Sequence, residues 1–234
     1  MKHTLFILSF LMIFSCSKKE NDLIVKGTVK GLKKGTIYLQ KVSDTTLMAV
    51  DSVSILGDSS FELHSELDTP EMYYLYLDKN DNSENRISFF ADKGTTEINT
   101  TLKNFVFDAN IVGSKQQEVL LEYNKMIKQF NNKSLDLIKA NFEAQKEQDQ
   151  AMSDSLKGVL ERYNSSRFKY ALNFTMSHLD SEVTPYIVLT DMYHANIKVL
   201  DTIYNNLDTK VLNSKYGIEL KNFIENVKFK EKTE

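Results

Sequence analysis

Between Leu23 and Val112 the apolar residues fall in short runs: LIVKGTV, TIYLQKV, LMAVDSVSI, FELHSEL, MYYLYLD, ISFFAD, TEINTTL and FVFDANIV. Turn residues such as Gly57-Asp58 and Lys93-Gly94 separate them. Eight runs rich in β-branched and aromatic residues within about 90 positions predict an antiparallel meander, sandwich or barrel. Glycine placement closes this region, since Gly27, Gly31, Gly35, Gly57, Gly94 and Gly113 precede residue 114 and only Gly158 and Gly217 follow. One run differs from the rest. In MYYLYLD a period of two sends Met72, Tyr74 and Tyr76 to one face and Tyr73, Leu75 and Leu77 to the other, so both faces are apolar. Two explanations follow: a central strand buried between a second sheet and helices, or a tyrosine-lined groove in which Tyr74 and Tyr76 meet a peptide or glycan.

After Gly113 the period changes. Val119, Leu120, Tyr123, Ile127 and Phe130 follow helical spacing, with Ser114 placed to cap the first turn. Leu135, Ile138 and Phe142, then Met152, Leu156, Val159 and Tyr163, keep one three-four register across the polar segment AQKEQDQA. That pattern suits either one long helix or a helical hairpin with its packing stripe on those positions, and the hairpin is favoured because the polar segment, as its tip, has nothing to pack. Further helices are expected from near Pro185, around Val199 to Leu207 and around Val211 to Val227, with a charged, fraying tail from Lys228 to Glu234. The fold class expected is therefore α+β. An antiparallel β domain over 23–113 precedes a helical region over 114–227.

Composition sharpens location more than chemistry. The chain has 11 tyrosines and 14 phenylalanines, enough to build a core, and a single cysteine, which excludes an internal disulfide, a CxxC centre or a cysteine zinc site. That cysteine follows Lys2 and an apolar stretch from Leu5 to Phe14. The stretch is too short to span a bilayer and reads as a secretory signal over 1–15. Ile13, Phe14, Ser15 and Cys16 resemble a bacterial lipobox, which implies acylation of Cys16, a polar tether to Asp22 and a membrane anchor through lipid. The formal charge is −3, and loss of Lys2 on cleavage makes it −4, so no attraction to nucleic acid is implied.

A longer resemblance runs through Lys26-Gly27-Thr28-Val29, Ile37-Tyr38-Leu39, Asp51-Ser52-Val53, Gly57, Phe61, Pro70, Tyr73, Leu75, Phe89 and Gly94. It ends on Gly113-Ser114 and Gln116-Gln117-Glu118. This series, over roughly 23–130, resembles a domain of unknown function in Gram-negative lipoproteins, typically found in front of a thioredoxin-like or peroxiredoxin-like domain. Tyr216-Gly217 resembles the segment that precedes the redox domain in those proteins. The sequence ends at Glu234 with no tryptophan and no cysteine after Cys16, so no redox domain and no redox chemistry are expected here.

Local chemistry is sparse. His64, His178 and His194 lack metal-ligand spacing and are expected to be solvated or capping residues, and no G-x-S-x-G or glycine-rich phosphate loop occurs. The segment DKNDNSEN from Asp78 lacks the central glycine and closing glutamate of a calcium loop and reads as a hairpin turn. The expectation is a non-catalytic, lipid-anchored protein of the cell envelope, on the outer membrane and facing the periplasm. It would bind a peptide, protein or glycan, with no cofactor and no metal. The alternatives are an accessory subunit of a separate thiol-disulfide oxidoreductase, or a hydrolase whose site is not local in sequence.

Overall fold

A computed structural model describes residues 22–43, 45–78 and 86–233. The expected leader, Cys16 and the tether as far as Asn21 lie outside the described residues, as does nearly all of the loop after Asp78.

Eight strands come first: β1 (Leu23–Lys30), β2 (Lys34–Ser43), β3 (Thr46–Leu56), β4 (Ser60–Ser65), β5 (Glu71–Asp78), β6 (Arg86–Ala91), β7 (Gly94–Thr101) and β8 (Asn110–Val112). They form two four-stranded sheets, ordered β4-β1-β7-β8 and β3-β2-β5-β6. The pairing is antiparallel with one departure from expectation: β1 and β7 run parallel, from Leu23 opposite Gly94 to Lys30 opposite Thr101. Gly27 is required at this seam, because a Cβ there would lie 1.8 Å from the Ile98 carbonyl oxygen.

The inward faces of the two sheets enclose one core, including Leu23, Val25, Ile37, Leu39, Leu63, Tyr73, Leu75, Leu77, Phe89 and Ile98. Each fully buried aliphatic side chain contributes about 1.5–3 kcal/mol relative to exposure. Strand β5 lies between β2 and β6 and sends its other face toward the helices, where Met72 joins Phe90 of β6 in a second core. In the run MYYLYLD the Tyr73, Leu75 and Leu77 face is thus fully buried, whereas on the other face Met72 is buried and Tyr74 and Tyr76 are half-buried.

The helical region comprises α1 (Lys115–Lys146), α2 (Gln150–Ser177), α3 (Val183–Asp191), α4 (Ile197–Asn206), α5 (Thr209–Leu212) and α6 (Lys215–Thr233). Ser114 caps α1 as expected, accepting the Gln117 N–H at 3.1 Å. Pro185 sits in the first turn of α3, where its missing N–H costs nothing. The segment from Lys228, expected to fray, instead continues α6.

Helices α1 and α2 form the expected hairpin, with Gln148 in the left-handed region (φ 58°) at the turn. Its packing register differs from the one the periodicity predicted. The buried apolar positions of α1 are Leu120, Tyr123, Ile127, Leu137 and Ala144, whereas Leu135, Ile138 and Phe142 face outward. The seam is phased by its proximal half, where Tyr123 packs on Phe174 and Phe130 on Tyr163, and a three-four step from there reaches Leu137 and Ala144. Small and polar residues close the distal half, where Ser153 Oγ donates to Asn141 Oδ1 at 2.8 Å.

Candidate functional site

The helices dock on the sandwich along β5 and β6. On β6, an edge strand, Phe90 donates its N–H to Gln117 Oε1 and accepts from Ser114 Oγ. Gln116, the preceding residue of the same turn, donates to Glu182 Oε2 and accepts from Ser181 Oγ, each at 2.6 Å, at the start of α3. Further along, α6 lies across the beginning of β5. Gly217 allows α6 to start close against α5, since a Cβ would meet the Val211 carbonyl oxygen at 2.0 Å.

Between the end of β2, the start of β5 and helices α3 and α6 lies a cleft of about 810 Å³. Its lining includes Lys41, Glu71, Tyr74, Tyr186, Lys215 and Glu219. This volume falls within the usual range for small-molecule sites. Two other depressions, about 620 and 560 Å³, lie on the sandwich, and neither is lined by a tyrosine.

Glu71 organises the floor. It is 6% exposed and stands between two ammonium groups. Lys41 Nζ donates to its Oε1 at 3.3 Å, and Lys215 Nζ donates to its Oε2. A lysine as the first residue of α6 opposes the positive end of the helix dipole, and its ion pair with the Glu71 carboxylate offsets that repulsion. Lys215 Nζ also donates to the Val42 carbonyl at 3.0 Å, and its backbone N–H donates to Thr69 Oγ1 at 3.2 Å. Burial works against the charge of Lys41, but Tyr73 and Glu71 outweigh it and hold its pKa above the ordinary value. Glu219, at the rim, is pushed up by desolvation and by the nearby Glu71, with Lys215 acting in opposition.

The wall is aromatic. Tyr216 donates no charge to the cluster but its OH accepts the Met72 N–H at 3.1 Å, and burial drives its pKa upward. Its ring packs on Phe90 and on Tyr186, at centroid distances of 5.7 and 5.2 Å. Tyr186 is half-buried and its phenol is raised by burial and by the neighbouring Tyr74.

Of the two tyrosines singled out from sequence, the structure brings only Tyr74 to the cleft. Tyr76 lies farther along the same face of β5, its ring 6.0 Å from Tyr38 and under the Arg86 guanidinium at 5.0 Å. Both are half-buried rather than fully buried. Lys41, Glu71, Lys215 and Tyr186 were not singled out, although a glutamate heading an otherwise apolar strand was a signal available at Glu71. The histidines stand apart: His178 is the C-cap residue of α2 with Nδ1 2.9 Å from the Phe174 carbonyl, and His64 lies 3.3 Å from Glu62. Among the described residues no cluster of three His, Cys, Asp or Glu side chains could hold a metal ion, and no helix is long and apolar enough to cross a membrane.

The sandwich and the first turns of α1 carry a likeness to a known family. Residues 23–120 match the model of a family described as Domain of unknown function (DUF4369). The match therefore covers the sandwich together with Ser114, Gln116 and Gln117, the residues that dock α1 on β6 and α3. The remaining helices, which supply Tyr186, Lys215 and Glu219 to the cleft, lie beyond it. No curated protein and no solved structure matches the chain.

Proposed function

We propose that the chain is a lipid-anchored protein of the cell envelope, acylated at Cys16, whose cleft between sandwich and helices is a non-catalytic binding site. The lipid anchor rests on the short apolar leader and the lipobox-like Ile13-Phe14-Ser15-Cys16. Two or three acyl chains, at about 0.8 kcal/mol per buried methylene, would hold the domain at the membrane, at the outer membrane and on its periplasmic side.

The observation that carries the binding reading is the closed ion cluster of Lys41, Glu71 and Lys215. General acid-base catalysis favours a group poised near neutral pH. Here the titratable groups on the floor satisfy one another and the Lys41 shift runs away from neutrality, while the upward shift of Glu219 falls on an exposed rim group apart from that floor. What the cleft offers a ligand is aromatic surface and neutral hydrogen-bonding groups on a rigid floor.

Two measurements test this. Labelled palmitate should enter the full chain and not Cys16→Ala, which should leave the membrane fraction. In-cell crosslinking from a photoreactive residue at position 74 should capture a specific partner or ligand that the same residue at position 121, on the exposed outer face of α1, does not. Equal capture from both positions would overturn the cleft as the binding site.

A further inference from the structure

The proposed binding cleft leaves its ligand class open, and its unused chemistry narrows that class. We infer that the cleft accepts an uncharged, hydroxyl-rich ligand, a neutral oligosaccharide, with its apolar face on Tyr74 and Tyr186. This deepens the binding reading above and rests on it.

Charge comes first. A site for a phosphate, an acidic peptide or an anionic glycan needs cations with open valences. Both lysines in this cleft already hold Glu71, and Lys215 spends a further donor on the Val42 carbonyl. Asp68 and Glu219 at the margin would repel a second anion. A cationic ligand is drawn only by Asp68 and Glu219 at the margin, because on the floor the Glu71 carboxylate is already paired with two ammonium groups that repel a third cation.

Backbone pairing comes second. An extended peptide gains affinity by adding a strand to a free sheet edge. At this cleft β5 is flanked on both sides by β2 and β6, so it offers no edge. Where β2 overhangs beyond Lys41, the Val42 carbonyl that a peptide strand would use is taken by Lys215.

What remains is neutral. The phenol oxygens of Tyr74 and Tyr186 make no hydrogen bond to a described protein group, and Asn213, which also lines the cleft, donates its amide N–H to the Thr209 carbonyl and has its side-chain oxygen unused. Beside them stand two half-buried tyrosine rings, Met72 and the exposed Ile218. Flat rings with polar rims suit a sugar, which presents C–H groups on one face and hydroxyls around its edge.

The test titrates the full chain by calorimetry with a panel of neutral hexasaccharides built from glucose (α- and β-linked), mannose, galactose and N-acetylglucosamine. Heparin hexasaccharide and a neutral, unstructured decapeptide serve as counter-probes. At least one neutral hexasaccharide should bind, with an affinity that changes by less than about twofold between low and high salt, because no ion pair is made. Tyr74→Ala should weaken it by about tenfold and Tyr74→Phe by less. Asn213→Ala, a surface change that leaves the aromatic wall intact, should also weaken it if Tyr74→Ala does not fold. Binding of heparin or the decapeptide in place of every neutral sugar, no sugar binding at millimolar concentration, or sugar binding indifferent to both substitutions would overturn the inference. If crosslinking from position 74 nonetheless recovers a specific partner, the binding reading stands and only the ligand class falls.

Discussion

Gln117 Oε1 lies 2.7 Å from the backbone nitrogen of Phe90, and through this bond the first turn of α1 stands in for a missing strand beside β6. Ser114 Oγ completes the pairing by donating to the Phe90 carbonyl at 2.6 Å while capping the helix. Both partners are buried, and so an edge that would otherwise invite another chain is closed from within. Gln117→Ala should strand the Phe90 N–H without an acceptor and cost about 1–3 kcal/mol. Urea denaturation of the full chain measures it, and a loss below about 0.5 kcal/mol would mean that water reaches the Phe90 nitrogen.

The Glu71 cluster makes a second prediction. Breaking a buried ion pair costs about 3–5 kcal/mol when the surviving charge is trapped. The Lys41 and Lys215 side chains are 32% and 29% exposed, so their ammonium ends can regain water, and Glu71→Gln should cost about 1–3 kcal/mol. Combining Glu71→Gln with Lys215→Met should recover part of this loss, because the second change removes the charge that the first orphaned. A double-mutant cycle in urea measures the coupling, and additivity within about 0.3 kcal/mol would show the pair to be energetically idle.

Much of this architecture was legible in the sequence. The eight strand runs, the change of period at Gly113, the Ser114 cap and the hairpin all depend on residues near one another, and local period is what a sequence displays. The parallel neighbour of β1 was not legible, because period two gives the face of a strand and says nothing about which distant strand lies beside it. The site was hidden for the same reason. Lys215 and Glu71 are 144 positions apart, and although Glu71 stands out at the head of an apolar strand, nothing local names its partner. Tyr74 was visible because it interrupts an apolar face within its own strand, whereas Tyr186 joins it only through the docking of α3.

Alkaline pH should unfold the protein for a reason visible in its tyrosines. Desolvation raises the pKa of Tyr73, Tyr123, Tyr186 and Tyr216, Tyr123 also through its hydrogen bond to Asp191, and Lys41 is raised as well. A folded-state pKa above the unfolded value means that the folded chain keeps protons the unfolded chain releases. The associated stability is fully present below the unfolded values of 10.0 for tyrosine and 10.5 for lysine, and is lost as pH rises above them. Unfolding free energy should be level through neutral pH and then fall by up to about 1.4 kcal/mol per pH unit for each such group. Tyrosinate absorbance should show an early class that titrates freely and a late class that appears together with loss of circular dichroism. Tyr123→Phe should remove one proton from the slope, whatever its separate cost at neutral pH. Smooth titration of all tyrosines in one class would contradict the buried environments.

The hairpin register provides the most direct contest between local pattern and packing. Leu137 and Ile138 are adjacent on α1, yet Leu137 is 8% exposed and Ile138 is 50% exposed. The apolar period through Leu135, Ile138 and Phe142 would put Ile138 in the seam, whereas phasing from Tyr123, Ile127 and Phe130 puts Leu137 there. Leu137→Ala should cost about 1–3 kcal/mol, below the usual range for a deep core because a two-helix seam can partly collapse. Ile138→Ala should be neutral or slightly stabilising, since alanine is the better helix former at a solvent-facing position. Because the distal hairpin can open without the rest of the molecule, hydrogen exchange of amides between Leu135 and Met152 should be read beside global denaturation. Faster exchange in Leu137→Ala than in Ile138→Ala supports the packed register. The opposite order would mean that α1 is rotated by one position about its axis, with the stripe turned inward and the Asn141 to Ser153 bond lost.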